Sequence, residues 1–368
     1  MGALGVLTGG GDCPGLNAAI RAIVRGAIVR GYEVVGIRGG FRGLAAGETV
    51  LLDRHAVAGV LPRGGPILGT SSYNCFREEG GVTLVLETLR ALELEGVVAI
   101  GGEGTLAIAH RLHAEHAFPV VGVPKTIDND IAGTDVTIGF DTAVHICTEA
   151  IDRLHSTAES HNRVMVVEVM GRNTGWIAAA AGIAGGADVI LVPEVPTSIE
   201  EVADHVRKRH AQGRNFSIVV VAEGYRLTRR SGEQDAPVVQ ELDEYGYERL
   251  GGIGRVVADE LARLTGFETR VTVLGHVQRG GTPTARDRLL ATRLGLEAVG
   301  VAAAGRWGRM VAVRGNEIVD VPLEEATGSR RDVPPRGFPS AASWPEYSRR
   351  ASGPPPRYPL SVKFPAAP

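Results

Sequence analysis

Short runs of apolar residues alternate along the chain with longer segments in which apolar residues recur every three to four positions. The short runs, rich in Val, Ile and Leu, predict buried strands, and the longer segments predict amphipathic helices. The pattern predicts strands at residues 3–8, 33–37, 96–100, 119–122, 164–169, 189–192, 217–221 and 270–274, and helices at 16–30, 141–160, 198–212 and 286–304. Such alternation is typical of βαβ units on a parallel sheet.

The alternation continues through both halves of the 368-residue chain. We therefore expect an α/β protein with two Rossmann-like lobes and mostly parallel sheets. We place the lobes at residues 1–140 and 141–328, with an approximate boundary that the chain can recross. Residues 329–368 hold many prolines and no periodicity, which predicts a disordered tail; a sequence artefact and a Pro-rich partner peptide are the alternatives.

Composition narrows the classes of function. A net charge of -3 gives no support to a nucleic-acid partner, and no run of about 18 apolar residues predicts a membrane span. Cys13, Cys75 and Cys147 lie far apart, which indicates a reduced protein; with no leader pattern, we expect a cytoplasmic location. Glycine, with 50 residues, has about twice its usual share.

The first glycine-rich loop, residues 9–15, lies between a predicted strand and a predicted helix. Glycines allow a phosphate to approach the backbone closely, and a helix N-terminus offers free N–H groups to an anion. A tight turn without a ligand is the alternative. The loop matches neither the Walker pattern nor Gly-x-Gly-x-x-Gly.

A second loop, residues 101–105, has the same position after a strand. Its Glu103 carboxylate is a candidate magnesium ligand, because Mg²⁺ prefers hard oxygen ligands together with substrate phosphates. The alternative is an ordinary helix start with Thr105 as the capping residue. Two such loops in one lobe favour a nucleotide or pyrophosphate ligand.

A third loop, residues 124–130, holds two carboxylates within three positions. An Asp at this place can accept the proton of an attacking hydroxyl in phosphoryl transfer, although such clusters also form solvated turns. Two further loops, residues 170–175 and 275–281, carry Arg and His after predicted strands. Guanidinium groups match phosphate oxygens, which predicts a phosphorylated sugar as ligand; surface salt bridges are the alternative.

In order along the chain, Gly-Gly-Asp-x-Pro-Gly-Leu-Asn, Pro-x-Thr-Ile-Asp-Asn-Asp, Met-Gly-Arg and Gly-His-x-Gln-Arg-Gly-Gly resemble the motifs of the 6-phosphofructokinase family. The resemblance runs from about residue 3 to residue 327. It implies a phosphofructokinase-type fold and transfer of a phosphoryl group from MgATP to the 1-hydroxyl of fructose 6-phosphate, a step of glycolysis. Pyrophosphate-dependent transfer and a catalytically weak ligand-binding paralogue are the alternatives.

The resemblance also implies roles for individual residues. Asp128 would be the base and Arg172 would stabilise the transferred group, with Thr126 and Asp130 lining the same site. The implied contacts to the phosphoryl donor are Gly11, Ser72, Tyr73, Gly102, Glu103, Gly104 and Thr105, with Glu103 on Mg²⁺. The implied contacts to fructose 6-phosphate are Thr126, Ile127, Asp128, Met170, Gly171, Arg172, Glu223, His276 and Arg279, joined by Arg163 and Arg270 from a neighbouring subunit of a homo-oligomer, which we expect to be a tetramer.

Two positions bear on the donor. Family members that use ATP carry Gly where Gly104 stands, because a carboxylate there would repel the α-phosphate. Lys125 stands where pyrophosphate enzymes have Lys and many ATP enzymes have Gly. We expect ATP, with pyrophosphate as the alternative. Ser72 replaces an arginine usual in the family, which predicts weakened activity.

An effector site is a further expectation from the resemblance. Arg21, Arg25 and Arg54 match positions that bind effector phosphates in bacterial relatives, and Arg214 and Asp188 match two more. On helix faces, the alternative for these arginines is a solvated charge.

Overall fold

The computed structural model describes residues 2–242 and 248–334. The strands are β1 (Ala3–Thr8), β2 (Glu33–Ile37), β3 (Thr49–Leu51), β4 (Leu94–Gly101), β5 (Val120–Thr126), β6 (Ile138–Gly139), β7 (Val164–Val169), β8 (Val189–Leu191), β9 (Ser217–Ala222), β10 (Val239–Leu242), β11 (Glu248–Leu250), β12 (Thr269–Val273), β13 (Arg309–Arg314) and β14 (Glu317–Pro322). The helices are α1 (Leu16–Val29), α2 (Gly40–Ala46), α3 (Gly81–Ala91), α4 (Glu103–His116), α5 (Phe140–His161), α6 (Trp176–Ala184), α7 (Ile199–Ala211), α8 (Ile253–Thr265), α9 (Ala285–Ala303) and α10 (Leu323–Gly328).

The first lobe is built on a mostly parallel sheet in the order β14-β13-β5-β4-β1-β2-β3, with β6 beside β5. Strands β1, β4 and β5 form its centre, and nearly all their residues are buried because helices cover both faces. The edge pairs β2–β3 and β13–β14 are antiparallel. The carboxyl ends of β1, β4 and β5 therefore bring the first three loops to one edge of this sheet.

The second lobe has a parallel four-stranded sheet in the order β12-β7-β9-β8. Every residue of β7 and β9 is buried, as continuous apolar runs in a covered parallel sheet require. Helix α7 begins at a capping box: Ser198 Oγ accepts a hydrogen bond from Glu201 N, and the Glu201 carboxylate accepts one from Ser198 N. The predicted α/β class with mostly parallel sheets is confirmed.

The approximate boundary between the predicted lobes left room for the chain to recross it, and its last two strands lie in the first sheet. Strands β13 and β14 lie within residues 141–328, yet they extend the sheet of the first lobe. The chain thus returns to the first lobe through α9, which packs against α1, and one apolar cluster runs through both lobes. Within the described ranges no helix has both the length and the apolar character needed to cross a membrane.

The tail predicted at residues 329–368 is described only to residue 334. Residues 329–334 pack against both lobes, and Val333 is buried, so the expectation of disorder is wrong for this part. Hydrogen bonds of Arg331 with Trp176 and Asn129 hold this segment in place, and such contacts leave no periodic pattern in the sequence. The remaining part of the predicted tail, residues 335–368, lies outside the described residues.

Candidate active site

The first glycine loop is held from three sides. Gly9 N donates a hydrogen bond to Ile100 O, and Gly10 N donates one to Ser71 O, both at 2.9 Å. A Cβ at Gly11 would lie 2.6 Å from a guanidinium nitrogen of Arg279. Glycine at position 11 therefore lets the arginine of the fifth loop come against the backbone of the first.

The second loop starts α4, and Gly102 is the residue before the helix, without a side-chain cap. The alternative role of Thr105 as a capping residue is therefore wrong; its side chain is buried and packs against Gly9 and Gly101. Glu103 and Gly104 are exposed in the first turn. A Cβ at Gly104 would meet no atom within 4 Å, so the packing of this chain does not require glycine at that position.

Lys125, in the third loop, is 2% exposed and points at the first loop. Its Nζ donates hydrogen bonds to the carbonyl oxygens of Gly9, at 3.0 Å, and Gly11. Burial lowers the pKa of this ammonium group, and the nearby Arg279 acts in the same direction. Both carbonyl partners compensate for the loss of water around the side chain.

Asp128 lies in the same loop, 7% exposed, and its Oδ1 is buried without a hydrogen-bond partner among the described residues. Burial raises the pKa of the Asp128 carboxyl. Three cations oppose that rise, in decreasing order Arg279, Arg172 and Lys125. These cations come from three different loops, so the fold gathers positive charge around one dry carboxylate.

Asp130 and Thr126 complete the third loop. Burial raises the pKa of Asp130 to about 7, and the negative charges of Asp128 and Glu103 add to the rise. The Thr126 hydroxyl accepts a hydrogen bond from Asp128 N at 3.1 Å. Asn129 between the two aspartates has a left-handed backbone with φ of 54°, and Ile127 is buried in the apolar core. The loop backbone is therefore fixed around its two carboxylates.

Glu223 joins the loop that follows β7 to the end of β9. Its Oε1 accepts hydrogen bonds from Gly171 N at 3.2 Å and from Arg172 N at 2.8 Å. Burial raises the pKa of Glu223 to about 7. Arg172 itself has φ of 49°, a left-handed conformation that is uncommon for a residue with a side chain.

Gln278 is a positioning residue that the sequence reasoning did not single out, although it lies inside the fifth motif. It is completely buried, and its Oε1 accepts hydrogen bonds from Met170 N at 3.2 Å and from Cys147 Sγ at 3.0 Å. Its Nε2 donates to Gly275 O at 2.9 Å. The amide therefore ties the loops after β7 and β12 together, and its place inside a Gly-rich motif was the available signal.

His276 and Arg279 lie on a 3-10 helix after β12, and Arg163 and Arg270 lie at the other end of the same sheet. His276 is exposed, whereas Arg279 is half-buried near Asp128. Arg163 immediately precedes β7, and its guanidinium pairs with Glu268 at 3.0 Å. Arg163 precedes β7 and Arg270 is the second residue of β12, so both lie toward the amino ends of strands whose carboxyl ends lead to Met170 and His276. Their assignment to the site of a neighbouring subunit stays a prediction.

Tyr73 and Cys13 have packing roles. The Tyr73 ring packs against the apolar core near α3, and its hydroxyl bonds with Glu78, while Ser72 is exposed next to it. The expected contact of Tyr73 with the phosphoryl donor therefore stays a prediction, and the direction of its side chain gives that contact no support. Cys13 is buried, and burial raises its pKa to about 12.

The residues expected to bind an effector differ in their exposure to solvent. Arg21 is half-buried, while Arg25, Arg54 and Arg214 are exposed. The Asp188 carboxylate already has two partners, accepting from Ile218 N at 2.9 Å and pairing with Arg209 at 2.7 Å. Its contacts join β9 to α7.

A cavity of about 280 Å³ lies beside the loop after β9. Its walls include Asn173, Gly224, Arg226 and Arg330 and none of the residues predicted from the sequence. Lys125, Asp128 and Glu223, whose pKa values are shifted by burial, do not line this cavity. Clusters of titratable groups with perturbed pKa values are typical of functional sites, which makes the loops that carry them the candidate site.

The chain was compared with known protein families and with individual relatives. A family model described as Phosphofructokinase matches residues 3–302. The chain belongs to the phosphofructokinase family. The pyrophosphate–fructose 6-phosphate 1-phosphotransferase of Streptomyces coelicolor is 54% identical over 333 residues, which cover 90% of this chain and 96% of that protein. The ATP-dependent 6-phosphofructokinase of Chloroflexus aggregans is 53% identical over 341 residues, 90% of this chain and 93% of that protein.

Solved phosphofructokinase structures have the same fold. That of Saccharomyces cerevisiae matches 89% of this chain with a TM-score of 0.76 and 34% identity; this chain spans only 45% of the yeast chain. The pyrophosphate-dependent phosphofructokinase of Marinobacter aquaeolei matches 91% of this chain and 86% of its own, with a TM-score of 0.76 and 23% identity. That second likeness concerns the fold alone.

Proposed function

We propose that this phosphofructokinase transfers the terminal phosphoryl group of MgATP to the 1-hydroxyl of fructose 6-phosphate, giving fructose 1,6-bisphosphate and ADP. The observation that carries the proposal is the buried Asp128 carboxylate, whose Oδ1 lacks a partner among the described residues and which is surrounded by cations from three loops. In a protein that only binds anionic ligands, a buried carboxylate that faces the ligand would weaken binding by repulsion. An enzyme is therefore favoured over a ligand-binding paralogue.

Asp128 acts as the base in this proposal. The 1-hydroxyl oxygen forms a bond to the γ-phosphorus while its proton passes to the Asp128 carboxylate. The bond from that phosphorus to the bridging oxygen breaks, and its electron pair leaves with ADP. Arg172 stabilises the negative charge on the transferring group.

The carboxylates of Glu103 and Asp130 fit a magnesium ion. Glu103 is exposed at the start of α4, and its charge adds to the rise in the pKa of Asp130. Hard oxygens of this kind, combined with substrate phosphates, are the ligands that Mg²⁺ prefers. When bound, the ion supplies neutralisation of the charge on the donor phosphates. We assign Glu103 as its main protein ligand.

ATP is the preferred donor in this proposal. Open space surrounds Gly104, where a carboxylate would repel the α-phosphate, and the ammonium of Lys125 is bound to the carbonyls of Gly9 and Gly11. Lys125 is thus engaged within the chain, which weakens it as a sign of pyrophosphate use. Pyrophosphate is the second candidate, because relatives at 54% and 53% identity carry names of both kinds.

The sugar phosphate is assigned to the second lobe. Glu223, with Met170, Gly171 and Arg172, faces the sugar, and His276 and Arg279 bind its phosphate through charge-assisted hydrogen bonds. Arg163 and Arg270, at the far edge of the sheet, are assigned to the site of a neighbouring subunit in a tetramer. The described cysteines are free and buried, which suits a cytoplasmic enzyme.

The test is the formation of fructose 1,6-bisphosphate by the purified full chain with Mg²⁺, run in parallel with ATP and with pyrophosphate. We expect activity with ATP. Replacing Asp128→Asn should lower kcat by about 10²–10⁴-fold and leave fructose 6-phosphate binding largely unchanged, because only the base is removed. Asp152→Asn, an exposed position on α5, is the matched control.

Unchanged turnover in Asp128→Asn would show that the base is another residue. Activity with pyrophosphate alone would reverse the donor assignment. A folded protein that binds fructose 6-phosphate but turns over neither donor would favour the ligand-binding paralogue, with Ser72 as the first suspect.

A further inference from the structure

The chain after α10 crosses the boundary between the lobes; we name residues 329–334 the C-terminal strap. Arg330 forms an antiparallel bridge with Ile131. Arg331 N donates a hydrogen bond to Asp130 O at 2.8 Å, and its guanidinium donates one to Asn129 O at 3.1 Å. The strap therefore binds the backbone of the third loop, the one that carries the proposed base.

The same arginine contacts the second lobe. Trp176 Nε1, at the start of α6, donates a hydrogen bond to Arg331 O at 2.8 Å, and the Arg331 guanidinium lies 4.0 Å from the centre of the indole ring. Two residues on, Val333 N donates to Glu194 Oε1 at 3.1 Å, and Glu194 also accepts from Gly175 N at 3.0 Å. The strap thus reaches the segment that follows Arg172.

Both loops that it joins have backbone conformations that need support. Asn129 has φ of 54° and Arg172 has φ of 49°, and residues with side chains keep such angles only where their surroundings hold them. A direct hydrogen bond between the loops, from Thr174 Oγ1 to Asp128 O, is long at 3.3 Å. Arg331 contacts both segments through its guanidinium, its main-chain N–H and its carbonyl.

We propose that Arg331 is a positioning residue that holds the loops of Asp128 and Arg172 at a fixed distance across the two lobes. The proposal rests on the proposed function for what Asp128 and Arg172 do. It adds that the active site is completed by a segment outside the five glycine-rich and charged motifs. The arginine serves better than lysine here, since its planar group can stack on an indole and donate to a carbonyl at once.

The test compares four full-length proteins: the unaltered chain, Arg331→Leu, Arg331→Lys and Arg314→Gln. Arg314 is exposed and pairs with Glu325 on the surface, so its variant controls for loss of an arginine. Arg331→Leu should lower kcat about 10–100-fold, because small displacements of reacting groups are that costly, and leave the KM for fructose 6-phosphate within about threefold. Arg331→Lys should recover part of the loss.

Amide hydrogen exchange without substrate gives a second readout. In Arg331→Leu, exchange should rise in residues 126–131 and 171–176 and stay unchanged in β1 and β7. Unchanged kcat and exchange would overturn the proposal, as would a rise throughout the chain or a loss of kcat without a local rise. If Arg331→Leu does not fold, Trp176→Phe, which keeps a ring and removes the indole N–H, enters the same measurements.

The two proposals fail in different ways. An unaltered chain that turns over neither donor refutes the proposed function, and hydrogen exchange in the variants then decides whether Arg331 fixes the two loops. If the unaltered chain is active and Arg331→Leu changes neither kcat nor hydrogen exchange, the positioning role is refuted and the proposed function still stands.

Discussion

Lys125 Nζ donates a hydrogen bond to Gly9 O at 3.0 Å, across 116 positions of sequence. The contact joins the carboxyl end of β5 to the loop after β1, and a second bond reaches Gly11 O. The lysine is buried, so the two carbonyls and the ammonium group replace water for one another. This gives Lys125 a structural task that does not depend on which donor the enzyme uses.

Replacing Lys125→Met should therefore lower the free energy of unfolding. Buried carbonyl oxygens left without a partner cost about 1–3 kcal/mol, and the first loop should also bind either donor less tightly. Urea denaturation measures the first effect, with Lys208→Met on the exposed face of α7 as control. Full stability combined with a selective change in donor use would contradict this assignment.

Gly104→Asp tests the choice of donor. The position has open space and lies in the first turn of α4, where an acidic side chain suits the helix dipole, so the fold should be retained. We expect kcat/KM for ATP to fall by about 10²-fold through repulsion of the α-phosphate, and use of pyrophosphate to suffer less. Gly104→Ala adds a side chain without a charge, so its comparison with Gly104→Asp separates the effect of side-chain size from that of the negative charge. Equal effects on both donors would place the α-phosphate elsewhere.

Glu223→Gln should change how stability depends on pH. The folded-state pKa of Glu223 is about 7, above its ordinary value of 4.5, so the folded protein holds a proton that the unfolded chain releases between these values. The free energy of unfolding therefore falls as pH rises through this window, by up to about 1.4 kcal/mol per unit from this group. Unfolding measured from pH 4.5 to 8 should show a flatter dependence in Glu223→Gln.

The exposed Glu87→Gln, on α3, is the control for that experiment. Its profile should follow that of the unaltered protein. Identical slopes for Glu223→Gln and the unaltered protein would mean that Glu223 is ionised throughout the range, and that burial does not govern its titration.

Subunit mixing tests the assignment of Arg270 to a neighbouring site. Arg270→Ala should raise the KM for fructose 6-phosphate about 10–100-fold, the value of a charged hydrogen bond. When it is refolded together with Asp128→Asn, about a quarter of the sites should combine an intact base with an intact arginine and regain activity. A mixture with no more activity than its components would mean that both residues serve the same chain's site.

The sequence predicted the central strands well. Residues 164–169 form β7 with the predicted ends, because all six side chains are buried and five of them are apolar. Helix α2, of seven residues, was not predicted, since two of its residues are glycines and it is too short for a clear helical period. Local periodicity is strong evidence only where an element is long or wholly buried.

Candidate site residues could be named from the sequence where they lie within motifs. Contacts between segments that are far apart in the sequence could not. Arg172 and Arg279 lie near enough to Asp128 for their charges to oppose the rise in its pKa, and the catalytic roles of these residues stay predictions. The pairing of β13 with β5, and the contact of Arg331 with Asp130, join residues roughly 190 to 200 positions apart. No periodicity within a short window encodes such partners.

The return of β13 and β14 to the first sheet affects how the protein is made. During synthesis from the N-terminus, the strands around β5 emerge long before residues 309–322 leave the ribosome. Until then the part of β5 that pairs with β13, at Val121 and Gly122, lacks this partner, and an unpaired strand edge is a template for wrong association. The first half of the nascent chain is therefore the part that most needs protection by chaperones, and a prematurely terminated product should aggregate rather than persist as a working lobe.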